Sequence, residues 1–87
     1  MGVTHADFFR ILPKAMGEVS YQVNGHTVSG RIGEGSVEIH VGAQQTRRIA
    51  LLEVPYCDVD FRYQNVTDDQ LESFERHFHL YFQRGGG

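Results

Sequence analysis

A helix, five antiparallel strands and a second helix, arranged as a two-layer α+β sandwich, is the fold class this sequence predicts. Three observations carry that reading. The same helix-start pattern occurs twice, once near each end of the chain. Between the two starts, the spacing of apolar residues changes from a helical period to a period of two. The connections between the apolar runs are too short for the crossovers that parallel strands require, so neighbouring strands pair antiparallel.

The first helix start is Val3-Thr4-His5-Ala6-Asp7-Phe8. Thr4 can cap the amides of the first turn, Asp7 suits the positive end of a helix, and Val3 can staple onto Phe8. The second, Val66-Thr67-Asp68-Asp69-Gln70-Leu71, repeats the pattern, with Gln70 able to reach back as a capping box. Helices are therefore predicted near residues 4–12 and 67–83. Pro13 disfavours helical geometry at Leu12 and should end the first one, with Gly17 marking the exit. In the second, Leu71, Phe74, Phe78 and Phe82 form one apolar stripe, and Leu80 falls on the opposite side.

The strands follow from alternation and turn chemistry. Val19, Tyr21 and Val23 alternate with polar residues up to the hairpin signal Asn24-Gly25, and Val28 and Ile32 continue the apolar face on the return. Gly33 and Gly35 mark the next turn, and Val37, Ile39 and Val41 form a third strand. Gly42 to Gln45 reads as a loop, Thr46 to Val54 as a fourth strand ended by Pro55, and Cys57, Val59, Phe61 and Tyr63 as the apolar side of a fifth. Both helices should cover the face formed by Val19, Tyr21, Val28, Ile39, Ile49, Leu51, Val59 and Phe61, leaving the other face open. Residues 1–84 make a single domain, and 85–87 a flexible glycine tail.

Composition narrows the function classes. The 87 residues carry 8 Lys plus Arg against 11 Asp plus Glu, a formal charge of -3, which supplies no general attraction for a phosphate backbone, so no nucleic-acid partner is expected. No apolar run approaches the roughly 20 residues that span a bilayer, and no signal peptide is evident, which predicts a soluble cytoplasmic protein. The lone Cys57 agrees with a reducing compartment and, facing the core, reads as a small hydrophobe rather than a nucleophile.

The open sheet face is the strongest candidate site. If Ile49 and Leu51 face the helices, Arg48, Ala50, Leu52 and Val54 must face outward, flanked by His40 on one side and Asp60 and Arg62 on the other. An apolar centre with a charged rim of this kind suits a protein partner or a second copy of the chain. A central strand that is apolar on both sides for packing alone is the competing explanation. Arg31, Arg47 and Arg48 could instead converge on an anion, although neighbouring carboxylates offer them ordinary cross-strand ion pairs. Glu75 and His79 share a helix face but supply only two ligands, so no metal and no cofactor is expected. The sequence contains no nucleophile elbow, phosphate loop or dinucleotide fingerprint, and no catalytic residue is assigned.

Two resemblances bear on these expectations. The order helix, antiparallel sheet, helix is similar in topology to the frataxin-like arrangement. Asp7 alone stands among the early positions of the first helix where that family has an acidic ridge, so no iron function is carried over. The terminal Gly85-Gly86-Gly87 resembles the tails of ubiquitin-like sulfur carriers and implies, as an alternative role, a carrier with an activated Gly-Gly terminus. In those proteins the last strand delivers the tail, whereas here an amphipathic helix precedes it.

Overall fold

The computed structural model describes residues 1–85. Helix α1 spans His5–Met16, followed by strands β1 (Tyr21–Asn24), β2 (Thr27–Ile32), β3 (Gly35–Ile49) and β4 (Leu52–Gln64), and by helix α2 (Asp68–Gly85). The strands form an antiparallel meander in the order β1-β2-β3-β4. The class is α+β as expected, but among the described residues the open sheet has four strands rather than five.

Both helix starts form as their sequences dictate. Thr4 Oγ1 accepts the Asp7 amide at 3.1 Å. At α2, Thr67 Oγ1 accepts the Gln70 amide at 3.2 Å while Gln70 Oε1 accepts the Thr67 amide at 3.1 Å, a complete capping box. Helix α1 nevertheless runs through Pro13 to Met16 instead of stopping at Leu12. The fully buried Ala15 and Met16 provide the reason: packing this last turn offsets the backbone bond that proline removes. Its end is closed at Gly17, whose amide reaches the Pro13 carbonyl at 3.3 Å. His77 Nε2 of α2 lies 3.1 Å from the Lys14 carbonyl, so a side chain of one helix caps the other.

The core unites both helices with one sheet face. Phe8, Ile11, Leu12 and Met16 of α1 and Phe74, Phe78 and Phe82 of α2 are buried with Val28, Ile32, Val37, Ile39, Val41 and Cys57. The ring of Phe61 meets Phe78 edge-on at 5.1 Å. Leu80 is exposed on the outer side of α2, as its position opposite the stripe requires. Gly86 and Gly87 of the expected flexible tail lie outside the described residues.

The major departure is in the second half of β3. Gly42 to Gln45 is not a loop. It is a β-bulge, a register shift between Val41 and Gln44 that lets the ladder continue. The segment Thr46 to Val54 is not a strand across the sheet, because the chain reverses at Ala50-Leu51 and pairs Ile49 with Leu52, Arg47 with Val54 and Thr46 with Pro55. Pro55 therefore lies within β4 and does not end a strand. Beyond the bulge, β3 and β4 form a two-stranded arm that α1 touches only at its root, through His5 and Gln44, and the molecule measures 47 × 24 × 19 Å. Ile49 and Leu51, expected under the helices, are both exposed on this arm.

Candidate functional site: the hairpin arm and its root

The three hairpins share one turn plan. Each has a two-residue loop, Gly25-His26, Gly33-Glu34 or Ala50-Leu51, between the paired residues that close it. The first loop residue is left-handed every time, with φ of 63° at Gly25, 59° at Gly33 and 55° at Ala50. Glycine takes that conformation freely, whereas for alanine it costs roughly 1–2 kcal/mol. Among the three hairpin turns, the arm tip alone carries this strain. Its next residue, Leu51, is 99% exposed, with Ile49 at 54% and Leu52 at 68% beside it.

Pairing and alternation sort the arm's side chains. Ile49, Leu52, Val54 and Tyr56 lie on the side continuous with the open sheet face, together with Arg47, whose guanidinium sits 5.0 Å from the Tyr56 ring. Arg48 points to the other side, where it pairs with Glu53 at 3.1 Å. Large aliphatic residues clustered at the end of a ribbon with no core beneath them make an exposed patch that the fold itself does not use.

The bulge region joins several elements at the arm's root. His5 Nε2 lies 2.6 Å from the Gly42 carbonyl, and the His5 amide donates to Gln44 Oε1 at 2.8 Å. The Val41 amide donates to the His26 carbonyl at 2.9 Å, which marks where β2 stops covering the edge of β3. Between α1 and the β1–β2 turn an open groove of about 560 Å³ runs past His5, Phe9, Val23 and His26. The His5 and His26 rings meet there at 4.6 Å.

The residues singled out from the sequence divide between two places. Arg48, Ala50, Leu52 and Val54 are on the arm, whereas His40, Asp60 and Arg62 lie on the open face over the core, with His40 paired to Asp60 and Glu38 to Arg62. The open face is polar there, so the expected apolar centre ringed by these charges does not form. His40 Nε2 lies 2.6 Å from Glu38 Oε1 but off the direction of a ring N–H bond. Arg31, Arg47 and Arg48 do not converge either. Arg31 is opposite Ser36 at the far end of β3, roughly 35 Å along the strand from the other two. It lines a polar cleft with Ser20, Glu34 and Asn65. The cause of both corrections is the turn at Ala50-Leu51, which sends residues 43–56 away from the sheet body.

Cys57, Tyr63, Glu75 and His79 are engaged structurally. Burial pushes the Cys57 thiol up from its ordinary value, with Asp58 adding to the effect and the terminal amine opposing it. Its Sγ donates to the Val3 carbonyl at 3.3 Å. Burial, and then the bond from Tyr63 Oη to Glu75 at 2.9 Å, raise the Tyr63 phenol. That bond occupies the carboxylate that His79 approaches at 4.0 Å. Among the described residues no group of three or more His, Cys, Asp or Glu is placed to hold a metal ion, and no helix is long and apolar enough to cross a membrane.

Sequence reading missed Ile49, Leu51 and Tyr56 on the arm and the groove at its root. One signal was available. Read outward from Ala50-Leu51, Ile49 mirrors Leu52 and Arg48 mirrors the oppositely charged Glu53, as cross-strand partners should. No family model matches the chain, and comparison with curated proteins and with solved structures found no match.

Proposed function

We propose that this chain is a small, non-enzymatic accessory domain that binds a protein partner through the β3–β4 arm. The observation that carries the reading is the tip itself, where Ile49, Leu51 and Leu52 stand in solvent on a strained turn. Backbone strain and exposed aliphatic surface both oppose an isolated ribbon, and both are offset when the tip is covered by another surface. The cytoplasmic assignment rests on the single buried Cys57, and the formal charge of -3 argues against a nucleic acid despite Arg47 and Arg48.

Association compared between two sets of variants tests this reading. Leu51→Asp and Leu52→Asp on the arm should abolish it while the far-UV spectrum stays native, and Arg62→Ala on the open face should leave it intact. The opposite pattern, with loss only in Arg62→Ala, would overturn the arm as the binding element.

A further inference from the structure

Resting on that reading of the arm, we infer that its partner is a second copy of this chain, joined by antiparallel pairing of the two β3 edges about Thr46. The backbone of the arm determines which edge is available. Met1 occupies the outer edge of β4 at Cys57, whose carbonyl accepts the Met1 amine at 2.6 Å and whose amide donates to the Met1 carbonyl at 2.8 Å. Cys57 thus directs its own N–H and C=O away from β3, and by the period of two so does Pro55, which has no N–H to give.

The residues opposite them must do the same on the other side. Gln44 faces Cys57 and Thr46 faces Pro55, so Gln44, Thr46 and, by continuation, Arg48 direct their N–H and C=O groups away from β4. Among the described residues β2 covers β3 only as far as His40, with the last bond from Val41 to His26. This stretch of edge contains no proline and no lysine to discourage pairing.

The edge is complementary to itself. A two-fold axis at Thr46 places Thr46 against its counterpart and Gln44 against Arg48 twice over, and these are the residues whose bonding groups point outward. Each such pair exchanges two hydrogen bonds. Arg47 then faces Gln45 and Ile49 faces Ala43, so no like charges stand opposed. The same operation carries each tip along the other arm to its root. There Ala50-Leu51 of one copy arrives at the bulge of the other, short of the Val41–His26 bond that ends the β2 edge, where the groove of His5, Phe9 and Val23 opens. One symmetry element thus pairs both edges and gives both exposed leucines an apolar seat.

Sedimentation velocity of the full chain with engineered thiols tests the inference. Paired Cα atoms in a bonded antiparallel pair stand about 5.5 Å apart, within disulfide range, so Thr46→Cys should cross-link into a covalent dimer under mild oxidation. Wild type, with Cys57 buried, should not, nor should Gln22→Cys on the edge strand β1. Leu51→Asp should weaken the non-covalent dimer by more than about tenfold, because its carboxylate would be buried in the groove. A wild-type chain that stays monomeric, or Gln22→Cys cross-linking as readily as Thr46→Cys, would overturn the inference. If that monomer still binds a different protein and loses it in Leu51→Asp, only the self-pairing fails. If no arm-dependent binding exists, the arm reading fails with it.

Discussion

Strands β3 and β4 live in two environments along one continuous ladder. From Gly35 to Val41, every second residue of β3 is buried under the helices, and the opposite side chains are polar. From Ala43 to Ile49 none is buried, although the ladder is intact. The lower half is therefore held by what packs upon it, and the upper half, past the His5–Gln44 bond at its root, by ladder hydrogen bonds and cross-strand pairs. Two-stranded ribbons of that kind are marginal in water. The contrast teaches that aliphatic side chains mean different things in the two halves: below the bulge they build the molecule, and above it they are available to something else.

The difference can be probed by substitutions of graded effect. Phe78→Ala removes the fully buried ring that touches Phe8, Phe61, Phe74 and Phe82, and should cost about 3–5 kcal/mol in chemical denaturation. A loss below about 1 kcal/mol would mean that the lower half does not depend on α2. Gly35→Ala should cost roughly 1–3 kcal/mol, since a Cβ there would run into the carbonyls of Gln64 and Asn65. On the arm the sign reverses. Ala50→Gly should relieve the left-handed alanine and slow amide exchange near the tip, a gain of at most about 1–2 kcal/mol that global unfolding need not register. Faster exchange would show that the turn is not strained.

The smallest effect concerns the lower half and pH. The Tyr63 phenol is raised above its ordinary value of 10.0, chiefly by burial, so the folded state holds this proton more tightly than the unfolded chain. Its contribution is fully present below about pH 10 and is lost as the pH climbs through the higher folded value. Tyr63→Phe should cost about 0.5–1.5 kcal/mol near neutrality through the lost bond to Glu75, and should flatten the alkaline fall in stability. An unchanged alkaline slope would remove Tyr63 from that role.

What was legible in the sequence was local. Capping depends on residues three apart, so Thr4 with Asp7 and Thr67 with Gln70 announced both helix starts correctly. The Phe74, Phe78 and Phe82 stripe likewise named its own buried face. The arm was hidden because its turn lacks glycine or asparagine. Ala50 occupies the position that Gly25 and Gly33 hold in the other hairpins, so a strand read straight through it. Gly42 and Pro55, ordinary signs of a break, are accommodated instead by a bulge and an outer edge. Miscounting one reversal exchanged the side assigned to Ile49 and moved Leu52 from the middle of a sheet to the end of a ribbon.

The reversal at Ala50-Leu51 closes two legs that lean on little besides each other. Deleting one residue from each leg between the bulge and the tip would preserve the lower ladder and every buried ring while drawing the leucines closer by roughly 3 Å. The arm is thus a ruler whose length can drift without penalty to the body that carries it.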